Sequence, residues 1–96
     1  KFSSRNDGDT MKAILFYEDR NMVYKNIRRL RKKKRLSQTD LAAKMQVMNV
    51  NIDQQMISKI ERNRRFVTDF ELACFCRILG VTLEEMLSDF YEKYPE

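Results

Sequence analysis

The residues of this chain best suited to chemistry are Gln54, Gln55, Ser58, Lys59 and Arg62, which recur at the spacing of one face of a helix running from 53 to 62. Ile57 and Ile60 share the opposite face, and Ile52 stands just ahead, where it pins the helix entry. The outward face thus carries two amides, a hydroxyl and two cations. A glutamine amide donates and accepts at once, as the adenine edge in the major groove requires, while Lys and Arg meet guanine acceptors or phosphates. Such a face suits base edges. A lone pair of glutamines suits a solvated helix equally well, so the surroundings decide.

Other chemistries lack their parts. There is no His, which removes any His-dependent catalytic triad. Cys74 and Cys76 lie two apart on a helical stretch and point to nearly opposite sides, too few ligands for zinc and badly placed to pair. Two scattered glycines do not make a phosphate-cradling loop. No catalytic residues, no metal and no cofactor are expected. Without a secretory h-region or an apolar spanning segment, the chain is expected in the cytoplasm, with no membrane contact.

The net charge of +5 is unevenly spread: residues 1–65 hold 17 Lys and Arg against 7 Asp and Glu, a net +10, whereas residues 66–96 hold 2 against 7, a net −5. A basic block beside a candidate reading helix is the electrostatic footprint of a nucleic-acid binder. Ninety-six residues make one domain with a modest core, and the wealth of helix formers makes the class all-α.

The elements that must position the reading face follow from periodicity and caps. Residues 1–22 form an N-terminal arm, either flexible or a dimer contact: the first ten are polar and patternless, and Ala13–Tyr17 is an apolar run whose type stays open. From Val23 to about Arg35 a first helix buries Val23, Ile27 and Leu30, and eight of the eleven residues from Lys25 to Arg35 are basic. Five consecutive cations, Arg31 to Arg35, repel one another, a cost that a polyanion would relieve. Ser37 and Asp40 form a capping box for a second helix with Leu41, Ala42 and Met45 inward, and Asp53 caps the third. Asn63 tolerates the left-handed backbone needed to leave it. Thr68 with Glu71 opens a fourth helix, closed by Gly80; Thr82 with Glu85 opens a fifth, with Leu83, Met86, Leu87 and Phe90 inward. The domain spans 23–91, and residues 92–96 are a frayed tail.

The string Ile27-Arg-Arg-Leu-Arg, then Leu36-Ser-Gln-Thr-Asp-Leu-Ala, Ile57-Ser-Lys-Ile-Glu-Arg-Asn-Arg-Arg and Leu79-Gly-Val-Thr-Leu resembles the helix-turn-helix regulators of the xenobiotic-response-element class, the lambdoid repressor and Cro type. The match covers roughly residues 23–90 and implies a compact five-helix DNA-binding bundle, usually a dimer on a palindromic operator. By position, the resemblance implies that Gln38 bonds a backbone phosphate, that Gln54 and Gln55 read bases, and that Lys59 takes a further base or phosphate. Ser58, Arg62 and Arg64 flank the backbone, and Arg31 and Glu61 match a buried ion pair tying the first helix to the third. The chain departs from the pattern between Met45 and Asp53, where the link exceeds the ~3–4-residue turn of the motif and Gln46 replaces the family glycine. Either Val47, Val50 and Ile52 fold the excess onto the core and the helix crossing is kept, or the reading helix takes another angle.

The function expected is a sequence-specific transcriptional repressor that binds double-stranded DNA as a homodimer. The alternative is an antitoxin or adaptor that holds a protein partner and autoregulates its operon, suggested by the acidic half and by Ile14, Leu15, Phe16 and Tyr17. An enzyme is not expected.

Overall fold

Short polar side chains start most helices of this chain, and the computed structural model, which describes residues 15–96, shows where each takes hold. The elements are α1 (Tyr24–Lys33), α2 (Gln38–Val47), α3 (Gln54–Glu61), α4 (Asp69–Leu79), α5 (Leu83–Met86) and α6 (Ser88–Lys93). Ser37 and Asp40 exchange two 2.9 Å hydrogen bonds at the start of α2. Thr68 with Glu71, and Thr82 with Glu85, do the same for α4 and α5. Asp53 caps α3 by accepting from the Met56 N–H at 2.8 Å. Each box satisfies two amide groups that a helix start leaves without partners.

Four helices, α1 to α4, end on one motif. In α1, α2 and α3 the chain turns through a left-handed residue, Arg35, Asn49 or Asn63, with φ of 60°, 69° and 61°. The next residue then reaches back: Leu36 N–H to Arg31 O, Val50 N–H to Met45 O, and Arg64 N–H to Lys59 O, at 2.8–3.1 Å. Gly80, with φ 73°, closes α4 without the penalty a side chain brings. Asparagine tolerates this backbone. Arginine does so at a cost of about 1–2 kcal/mol.

The apolar faces meet in one core. Ile27, Leu41, Met45, Ile52, Ile57, Ile60, Phe75 and Met86 are fully buried, each contributing about 1.5–3 kcal/mol relative to exposure. The long α2–α3 link is absorbed there in part. Val50 and Ile52 are buried, and the Gln46 side-chain amide donates to Ile52 O at 3.0 Å, bracing the link. Val47 corrects the expectation: it stays on α2 as the helix's last residue and is 87% exposed, because the reversal at Asn49 turns Val50 inward in its place.

The fifth helix of the sequence reading is two helices. The buried Asn26 amide donates to Met86 O at 2.9 Å, occupying the carbonyl that a continuous helix would offer to the Phe90 N–H. Phe90 N–H bonds Leu87 O instead, at 2.9 Å, and the axis breaks at Leu87. Leu83, expected inward, is 52% exposed on the far side of α5. Helix α6 runs on to Lys93 where fraying from 92 was expected, and the Tyr94 ring stacks on Tyr17 at 5.3 Å and 12°.

Expectations for residues 1–14, the polar arm and Ala13 and Ile14 included, lie outside the described residues. The described end of that arm is tied down. Phe16 and Asp19 exchange two 2.9 Å backbone bonds across a tight turn, and the Phe16 ring packs on Phe90 and Tyr94. Asn21 donates to Ile60 O and Arg65 O, while Asn63 accepts from the Arg20 and Asn21 N–H groups and donates to Asp19. Two asparagines thus clasp the residues before α1 to the end of α3. Asn21 also accepts from Val23 N–H, serving a helix start whose own cap residue has no polar side chain.

Glu71 links the α3–α4 loop to α4, accepting both arms of the Arg65 guanidinium at 2.9 and 3.0 Å. Burial alone would raise its carboxyl, but hydrogen bonds from Arg65 and Thr68 outweigh it and hold the group below its ordinary value. A folded value below the unfolded one means stability that is complete above the ordinary carboxylate range and lost as pH falls through the folded value. Stability should therefore decline below about pH 4.3, the unperturbed Glu value. Glu71→Gln should flatten that acid limb and cost about 1–3 kcal/mol at pH 7, as read by urea denaturation across pH.

Candidate nucleic-acid interface

The outward side of α3 is held in place by a chain of bonds that begins in the interior. Arg31, late in α1, sends Nε to Glu61 Oε2 at 2.7 Å and Nη2 to Glu61 Oε1 at 3.0 Å, and its Nη1 donates to Leu36 O at 2.8 Å. Both side chains are buried, at 10% and 3% exposure. The Glu61 hydrogen bond is the main reason the guanidinium lies above its already high range. A carboxylate this enclosed needs donors on both oxygens, and Arg31 of α1 supplies one to each, a two-point grip that fixes how α3 lies.

Glu61 Oε1 takes one more donor, Gln38 Nε2 on the first turn of α2, at 3.1 Å. Because an ionised carboxylate only accepts, Gln38 must turn its NH₂ toward Glu61 and its carbonyl oxygen outward. That oxygen accepts from Gln54 Nε2 at 2.8 Å. The sequence Arg31–Glu61–Gln38–Gln54 therefore runs from the core to the surface across α1, α3 and α2. Among the described residues its last member leaves one N–H and its own carbonyl without a partner, the pair that an adenine edge requires.

Around this point Gln54, Gln55, Lys59 and Arg62 are exposed and Ser58 is half-buried, while Ile57, Ile60 and Glu61 face inward. Arg62 lies along the helix end, its Nε 3.4 Å from Ser58 O, and Arg64 is exposed on the turn beyond. Gln38 is half-buried, placed at the α2 start as the sequence suggests, but engaged with two protein partners. Arg65, which the sequence reading passed over, is committed to Glu71 and held above its ordinary value chiefly by that bond. The Gln38–Gln54 contact and the Asn21–Asn63 clasp were also missed. Both join residues far apart in the chain, and neither leaves a local pattern.

A helix-turn-helix family model matches residues 27–86, from the first fully buried residue of α1 to the last residue of α5. Among curated proteins no match is found. No helix among the described residues is long and apolar enough to cross a membrane.

Glu61→Ala would strand the buried Arg31 cation and should cost about 3–5 kcal/mol in urea denaturation. The double change Arg31→Met with Glu61→Leu removes both charges and should recover most of that loss.

Proposed function

The chain belongs to the Cro/C1-type helix-turn-helix family of DNA-binding transcription regulators, and we propose that it is a sequence-specific repressor whose α3 reads the major groove. The observation that carries this reading is the Gln54 amide, set at the head of α3 by Gln38 and the buried Arg31–Glu61 pair. A base-reading side chain must be held before it meets DNA, or its ordering entropy is charged against binding.

In this reading Gln54 and Gln55 meet base edges and Lys59 takes a further base or a phosphate. Gln38 and the first-turn N–H groups of α2 meet the backbone, where the helix dipole favours anions. Ser58, Arg62 and Arg64 lie against the flanking phosphates. A homodimer would place two copies of α3 about 34 Å apart on a palindromic operator and exclude polymerase by occupying its site. The exposed Leu83 and Tyr91 on α5 and α6 give such a dimer an apolar surface.

The second reading, an antitoxin or adaptor holding a protein partner, is supported by the exposed rings of Tyr17 and Tyr91, Tyr17 stacking on Tyr94 of the acidic half. A stoichiometric protein recovered with the chain from its native host would favour it.

Selection of duplexes from a random pool tests the first reading. A preferred sequence with two-fold symmetry is expected, and Gln55→Ala should cost about 1–3 kcal/mol on that duplex with little effect on random DNA. Equal losses on both would remove Gln55 from the reading role.

A further inference from the structure

Arg35 sits where this fold has reason to keep another residue. It occupies the left-handed position that ends α1, the place held by Asn49, Asn63 and Gly80 at the ends of the next three helices. Glycine would adopt that backbone freely and asparagine nearly so, whereas arginine is strained there. It also closes a run of five cations that repel one another. A residue unfavourable on both counts directs the search to a role outside the folding of the chain.

The helix dipole explains part of the run. Cations suit a helix C-terminus, and Lys34 has a structural place: its ammonium lies against Gly80, within 3.5 Å of where a Cβ would stand. Neither reason covers Arg35, whose backbone is strained, or Arg28, almost two turns upstream. The two ion pairs between described residues are Arg31–Glu61 and Arg65–Glu71, so Arg28, Lys32 and Arg35 pair with no described carboxylate. All three are exposed.

Their placement is specific. Arg28 lies three before Arg31 and so falls on its side of the helix, with Lys32 beside it, and Arg35 stands just past the helix end, next to Leu36, whose carbonyl Arg31 binds. Arg31 bonds Glu61 at the end of α3 and Leu36 O on the way to α2, so this is the edge of α1 that borders the start of α2 and the end of α3. Arg35 is three residues before Gln38, no more than about 11 Å of chain, close to the ~12 Å width of a major groove. Lys25, Arg29 and Lys33, spaced by four, form the next exposed stripe round the helix.

We propose that Arg28, Lys32 and Arg35 form a phosphate-binding ridge that grips the DNA backbone flanking the half-site read by α3. The proposal rests on the reading of α3 given above and adds to it a sequence-independent contact on α1. Phosphates would relieve the mutual repulsion of the run and contribute affinity without choosing bases.

The test uses the full chain and the duplex it selects, with binding followed across a range of KCl concentrations. Two triple variants remove equal charge: Arg28→Gln, Lys32→Gln, Arg35→Gln on the ridge, and Lys25→Gln, Arg29→Gln, Lys33→Gln on the other stripe. The ridge variant is expected to flatten the slope of log K against log salt by roughly two to three, to lose affinity equally on selected and random duplexes, and to keep its melting temperature. The other variant should change the slope by less than about one. Equal flattening by both would mean a diffuse field with no ridge, and no flattening by the ridge variant would mean no contact; either overturns the proposal. Arg35→Gly adds a readout that unfolding cannot imitate: melting temperature up, affinity down. Affinity retained in Arg35→Gly also overturns it. Should the unaltered chain select no duplex, the reading of α3 fails first, and the ridge with it.

Discussion

A carboxylate cannot be carried into a protein interior without donors to meet it, and the pairing of Glu61 with Arg31 is the constraint on which the rest of this domain depends. Glu61 ends the helix that presents Gln54 and Gln55, and Arg31 belongs to the helix laid across it. Three donors converge on the two Glu61 oxygens. Rotating or sliding α3 would break at least one of them inside a low-dielectric core, where an unpaired charge is costly. The ion pair acts as a register device: it selects one pose of α3 more than it adds net stability. Through Gln38 the same register reaches the surface at Gln54, so the orientation of an exposed amide is set by burial several ångströms below.

The helix ends serve the same purpose by another route. Schellman-type closures at Arg35, Asn49 and Asn63 turn the chain sharply, letting α1, α2 and α3 follow one another through short links. The α2–α3 connection is longer than the motif usually allows, yet its excess is taken up by one left-handed residue and two buried side chains, Val50 and Ile52. Asn63 carries a second duty. Besides reversing the backbone after α3, its side chain binds the residues ahead of α1, closing a loop between the start of the described chain and the end of α3. Arg62 and Arg64 flank that clasp, so the cations beyond α3 project from a fixed turn.

Much of this was legible in the sequence because the signals are local. The three capping boxes, the Asp53 cap, the left-handed Asn63 and Gly80, and the inward stripes of α1, α2 and α3 all depend on residues a few positions apart. What stayed hidden was nonlocal. Asn26 reads as one more polar residue in a basic helix, and only its reach to Met86, sixty residues on, splits the last helix in two. Leu83 looked like core because it was grouped with Met86, Leu87 and Phe90 on one inward side, but α5 buries Met86 and leaves Leu83 exposed on its first turn. Val47 misled for a similar reason, since hydrophobicity says that a side chain would gain from burial and not which way the next turn faces. On the outward face of α3, residue types could name the chemistry, whereas the Gln38–Gln54 bond needed three helices in place before it existed.

In the function proposed for this chain, the amide-bearing side of α3, held from beneath by Glu61, is the surface that meets DNA. The most direct measurement follows the side-chain amide resonances of Gln54 and Gln55 while the selected duplex is titrated into ¹⁵N-labelled protein. Both amides should shift together and saturate with the duplex, alongside backbone N–H groups at the starts of α2 and α3. Saturating changes confined to α5 and α6, with both glutamine amides unmoved, would contradict it.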